Sequence, residues 1–388
     1  MSLFKIRYLK LFLYFVIVLF LTRQYPLVDY TYISNIAVVL LIYFVWHNKV
    51  VTMVSFFALV LFLVSILQNN EASLAMRFAV IIISLIAAYF IKVDVKCVKI
   101  LFYLTLIQCV FIFVLEYLVM SGTLPVEPTR DYFIDLHLGD IYPLVEPVYK
   151  IQFASNALIP FVYMLSYVYN VFPIKYNLFF RAIFLLASVL AGNFAYVLAI
   201  IVFHVYLYII RYLHNDRIFK KRLIGFICMG ILVGPLLYGY INKTLKYKRD
   251  YSTAIRIEQA SFLLEDMSDS PFSLFIGRGL GHTINKKSSF RDYRGNVYFE
   301  LQAIYFLNQL GAVFILYVLL HYYLSIRNIR NKDLLAVYFC YIVYAFTNPY
   351  LLDTNQFIII LTLCSIRNDK LIYENCRHSG YITYKPKS

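Results

Sequence analysis

Apolar runs of roughly 15–23 residues, parted by short polar breaks, recur along this chain at the length of membrane-spanning helices. Twelve are predicted, at 8–22, 31–46, 50–68, 74–91, 98–120, 151–171, 178–191, 194–213, 223–241, 300–326, 334–347 and 355–366. The first follows Lys5, Arg7 and Lys10, and RQYPLVDY rather than a small-residue cleavage site comes after it. It is therefore expected as an uncleaved span. Two breaks are long. Residues 121–150 contain four prolines, which argues against a long helix there. Residues 243–299 form the longest polar interval. The fold expected is an all-α polytopic membrane protein of about twelve transmembrane helices. It is a single integral domain over 1–388, with a first loop at 121–150 and a large loop at 243–299.

Composition strengthens this picture. Hydrophobic residues make up 62% and charged residues only 15%, too few to cover a soluble surface of this size. The net charge of +15 would suggest a nucleic-acid partner in a soluble chain. Here no polar basic domain remains to bind one, so nucleic acid is excluded and the charge is read as topology. With both termini on one side, that side holds 22 Lys and Arg, and the other holds four outside the large loop. Cytoplasmic short loops carry such an excess, so both termini are expected in the cytoplasm and both long loops outside. The six cysteines are scattered, without CxxC spacing, and none lies in either long loop, so neither a disulfide framework nor a zinc site is implied. No DxD pair stands on the outer side to hold a metal and a nucleotide sugar. No cofactor is expected.

The large loop keeps ten Lys and Arg, against six acids before Glu300, on the side where cations are disfavoured. Its segment 254–267 lacks Gly and Pro and carries Ile255, Ile257, Phe262, Leu263 and Leu264. That predicts a helix lying on the bilayer surface, with Arg256 and Gln259 turned toward the bundle. Ser270–Pro271 stops it. IGRGLGH follows, and three glycines in five residues allow a backbone to approach a phosphate closely beside Arg278 and His282, though a plain turn is the commoner explanation of such a run. Arg291 and Arg294 continue the basic stretch, and Arg130 lies in the first loop. Arginine forks match phosphate oxygens bidentately. Glu300 stands where the tenth span begins, a costly place for an acid unless it is paired, used, or favoured by the helix dipole. Tyr132, Tyr142, Tyr293 and Tyr298 are candidates to stack on sugar rings.

These features together resemble the O-antigen polymerase (Wzy) family, within the O-antigen ligase and polymerase superfamily. The resemblance rests on a dozen spans with two outer loops, the second larger, and on Arg256 opening that loop's helix. Pro271 followed by Gly277–Gly281, Glu300 eleven residues before Gly311, and a late Thr347–Pro349 turn complete it. It implies a GT-C-like glycosyltransferase of the bacterial inner membrane. The implied reaction moves an undecaprenyl-pyrophosphate-linked glycan onto the sugar of a second lipid-linked repeat unit at the periplasmic face. A chain-length regulator protein is an implied partner. Arg256, Arg278, Arg291, Arg294 and Arg130 would then bind pyrophosphate or glycan, and Glu300 or His282 would take the acceptor proton. One departure stands at AGNFAY, where members often carry an arginine just after the turn; Arg77 or Arg130 is expected to replace it. The rival readings are an O-antigen ligase, which has a histidine near the place of Glu300, and a lipid-linked oligosaccharide flippase.

Overall fold

The computed structural model of the protein describes residues 45–91, 93–136, 139–145, 148–169, 171–212, 253–287, 292–295, 299–346 and 348–366. The expected spans at 8–22 and 223–241, and all but the end of that at 31–46, lie outside the described residues.

The chain is mostly helical, as its apolar periodicity dictates. Helix α1 (Lys49–Leu67) starts at Asn48, whose side chain accepts from the Val50 amide at 3.0 Å. Helix α2 (Ala72–Ala88) returns against it, and α3 (Val95–Met120) starts at Asp94, which accepts from the Lys96 amide. By length and composition, α1 and α3 are each able to cross a membrane. Their outward faces are apolar too: Phe56, Leu63, Ile107 and Tyr117 are all exposed. A helix that is greasy on the side turned away from its own core needs a non-aqueous surround.

The first loop holds a short helix, α4 (Val126–Asp135), and an antiparallel hairpin of β1 (Gly139–Val145) and β2 (Val148–Phe153), pairing Ile141 with Ile151. The hairpin corrects the expected start of a span at 151. VYKIQF alternates, so Tyr149, Ile151 and Phe153 turn one way and Lys150 and Gln152 the other, which suits a strand. Helix α5 (Leu158–Val168) begins only after a 3-10 turn at Ala154–Ala157. It is buried nearly all round, and α6 (Asn177–Leu190) and α7 (Phe194–Tyr212) follow.

Residues 253–268 form helix α8 of the large loop, and α9 (Pro271–Ile276) follows, with Ser270 capping the Ser273 amide. The expected tenth span is broken in two, α10 (Gln302–Leu310) and α11 (Val313–Ile329). The break is Gly311, at φ +57°, where the α9 backbone presses in and the Ala312 amide donates to the Leu274 carbonyl at 2.9 Å. Helices α12 (Lys332–Phe346) and α13 (Thr354–Ile366) close the described bundle, and α13 sits in its centre with almost every residue buried.

The connections from one end of the bundle meet on one face. The Gly277–Gly281 turn lies on the α1–α2 turn, through an amide from Leu280 to Ser65 Oγ at 2.6 Å and one from the Asn70 side chain to the Arg278 carbonyl at 2.8 Å. Glu116 near the end of α3 accepts from the Tyr149 amide of β2 at 2.7 Å. Asn193, in the α6–α7 turn, donates to Asn348, in the α12–α13 turn, at 2.6 Å. These are the connections that the charge count assigns to one side.

Candidate functional site

Helix α8 organises this face. Arg256, Gln259, Leu263 and Asp266 fall at spacings of three, four and three, so a 3.6-residue period stacks them on one stripe. That stripe faces the bundle: Gln259 and Leu263 are fully buried. Ile257 and Leu264 point away and are exposed, so the expected apolar face is split, with Leu263 inward.

At the start of the stripe, Arg256 Nε donates to Glu300 Oε2 at 3.0 Å, with side chains 37% and 31% exposed. One turn on, Gln259 Oε1 accepts the backbone N–H of Glu300 at 3.2 Å. Glu300 thus precedes α10 without capping it; its carboxylate turns to Arg256 instead of to the helix start. On its N-terminal side Phe299 is buried and stacked on Tyr305, ring centroids 4.6 Å apart. Two residues later, Gln302, in the orientation that satisfies its neighbours, donates to the carbonyls of Pro349 at 3.1 Å and Leu351 at 2.7 Å. The late turn and the large loop therefore meet beside Glu300.

At the other end of the stripe, Asp266 gathers three donors. His282 Nε2 lies 3.1 Å from Oδ2, Asn308 Nδ2 donates to it at 2.9 Å, and Arg278 Nε lies 3.4 Å away. Burial favours the neutral acid here, but hydrogen bonds from His282 and Asn308 and the charges of His282 and Arg278 win, holding the Asp266 carboxyl below its usual range. Arg278 also donates to the Asp266 main-chain carbonyl at 2.8 Å and pairs with Asp269. It caps the C-terminus of α8, where carbonyls lack intrahelical partners and a cation is favoured.

This geometry corrects the expected phosphate cradle. In the turn, the Gly277 amide goes to Ser273 O, Arg278 to Asn308 O, Gly279 to Gln309 O, Leu280 to Ser65 Oγ and Gly281 to Gln309 Oε1. Every N–H from Gly277 to Gly281 is thus engaged within the protein. The glycines serve close packing at positive φ, where a Cβ would meet backbone or side chains of α1, α2 and α10. Arg278 and His282 belong to this staple rather than to an open cation site.

The remaining candidates make pairs of their own. Arg294 grips Asp292 through Nε at 2.9 Å and Nη2 at 2.5 Å, both side chains exposed, and its hydrogen bonds hold the Asp292 carboxyl down to about 2. Arg130 Nε pairs with Asp140 at 2.8 Å, tying α4 to β1. Arg291 and Tyr298 lie outside the described residues. Tyr293 is buried, which corrects its place among sugar-stacking candidates, and Tyr132 is exposed. Among the described residues no three His, Cys, Asp or Glu side chains converge as a metal site.

Sequence reasoning did not name the cation that packs on the α6–α7 turn. Lys150 of β2 lays its methylene stem against Gly192, where a Cβ would collide with it, and its ammonium lies 4.8 Å from the Tyr142 ring centre. The side chain is buried, and only the register pairing Tyr142 with Lys150 reveals it. Comparison of the chain with protein-family models, curated proteins and solved structures finds no match.

Proposed function

We propose that the protein is a polytopic inner-membrane glycosyltransferase that polymerises undecaprenyl-pyrophosphate-linked repeat units at the periplasmic face. In this reading about twelve helices span the membrane, both termini are cytoplasmic, and α8 and the first-loop hairpin lie outside. The observation that carries it is the half-exposed Arg256–Glu300 pair, set where the large loop meets a span broken at Gly311. A pyrophosphate leaving group departs with its own charge, so a cation stabilises it without donating a proton. The acceptor hydroxyl needs a base within hydrogen-bond reach, and Glu300 is that base. Arg256 both orients Glu300 and faces the leaving group. Lys150 contributes a second cation, in the position that the sequence reading gave to Arg77 or Arg130.

The test is deletion of the gene in a host that makes a surface glycan, followed by glycan length analysis. One repeat per chain supports a polymerase; no repeats at all points to a ligase or a flippase. Complementation with Arg256→Ala or Glu300→Gln should leave single repeats, and long chains from both variants would overturn the assignment.

A further inference from the structure

We propose that Gln259 is a positioning residue for Glu300: it fixes the main chain of the base while Arg256 fixes its side chain. This rests on the polymerase reading, in which Glu300 takes the acceptor proton.

The two contacts come from one helix, a turn apart. Arg256 Nε holds Glu300 Oε2 at 3.0 Å and Gln259 Oε1 holds the Glu300 N–H at 3.2 Å. A carboxylate on a long side chain, in a stretch that is neither helix nor strand, has many rotamers and a soft backbone. Pinning both ends of the residue removes that freedom, which is what a base needs before it can meet a hydroxyl in line. The stacked Phe299 anchors the peptide from the other side.

The second observation is the other half of the Gln259 amide. The side chain is fully buried, and Nε2 has no hydrogen-bond partner among the described residues. A buried donor left unpaired destabilises the fold, and a methionine would fill similar space without that penalty. The amide is therefore held at this position for its oxygen, and that oxygen bonds to Glu300. Among the described residues Arg256 is the charged group paired with Glu300, and Glu258 is the nearest acid to Gln259 along α8.

The experiment complements the deletion strain with full-length variants and reads glycan chain length across mildly acidic to neutral external pH, with membrane insertion measured alongside. Gln259→Glu keeps an acceptor oxygen for the Glu300 amide and places a second carboxylate beside the base. It should retain long chains, because the Glu300 amide keeps its acceptor. Gln259→Met keeps the volume without the acceptor, and should lower the yield of long chains about tenfold with normal insertion. Wild-type length and pH dependence in both variants would overturn the proposal. So would a loss of long chains in Gln259→Glu as large as that in Gln259→Met, or loss of insertion in both, since each marks a purely structural role. Glu300→Gln separates the two claims. Long chains from it defeat the polymerase reading itself; single repeats from it, with both Gln259 variants behaving as wild type, defeat only the positioning role.

Discussion

Arg256 and Glu300 are 44 residues apart in the chain and 3.0 Å apart in space. The pair closes the large loop onto the start of α10, and both side chains keep about a third of their surface in solvent. An ion pair this exposed contributes little to stability, roughly 0–1 kcal/mol. Its placement matters more for what it presents than for what it holds together.

Exchanging the two charges should therefore separate folding from activity. A protein carrying both Arg256→Glu and Glu300→Arg is expected to insert normally and to melt near the wild-type temperature. On the proposed polymerase reading, chain elongation should fall at least about a hundredfold, the usual scale for losing a positioned base. Glycan electrophoresis with immunodetection of the membrane fraction checks both. Restored elongation in the exchange variant would reduce the pair to a structural tie.

Gly311→Ala should be far more damaging to the fold. The residue sits at φ +57°, and an added Cβ would lie 2.7 Å from Gly277 N and Leu274 O. An alanine at φ +57° and ψ −143°, a backbone region that glycine alone adopts readily, costs about 1–3 kcal/mol, and the collision adds to it. Thermal unfolding in detergent should show a lowered midpoint, whereas Gly295→Ala, at φ +68° with no described atom within 4 Å, should show the conformational penalty alone.

The Asp266 staple predicts an acid-sensitive loop. Its carboxyl is held below the usual range, so the folded state binds fewer protons than the unfolded one as pH falls. The stabilisation is complete above the ordinary carboxylate range and is lost as pH drops through the lowered value. Protease protection of 253–282 should weaken in acid for the wild type. Asp266→Asn should weaken it at neutral pH and flatten the profile.

Asp353 predicts the opposite sign. Burial pushes its carboxyl up to about 7, against hydrogen bonds from the Gln356 amide at 2.9 Å and the Asn355 side chain at 2.5 Å. The unfolded carboxyl ionises near 3.8, so between the two values the folded state holds the extra proton. Stability should fall as pH rises across that window. Asp353→Asn keeps an N-cap for α13 and should remove the dependence, as melting temperatures across the window will show.

Much of the architecture was legible in one dimension. Where the period is helical and the apolar run is bounded by caps or glycine, as at α1, α3 and α6, predicted and observed limits differ by a few residues. The reading failed where hydrophobicity served a strand, at Val148–Phe153, because a short apolar run does not declare its period. It failed again at Gly311, because only the backbone of α9 pressing on that glycine turns a tolerated residue into a break. Arg256 and Glu300 were both named from sequence, but their pairing was not.

The sequence by itself determined the helical character, the order of the segments and the residue types available to bind phosphate. Those follow from local hydropathy and side-chain chemistry, which neighbours in the chain decide. Only the tertiary structure decided which cations are engaged. Arg278 goes to the C-terminus of α8, Arg130 to Asp140, Arg294 to Asp292 and Arg256 to Glu300. A charge's partner is set by distance in space, and the packing that brings residues 256 and 300 together is not written in the spacing between them.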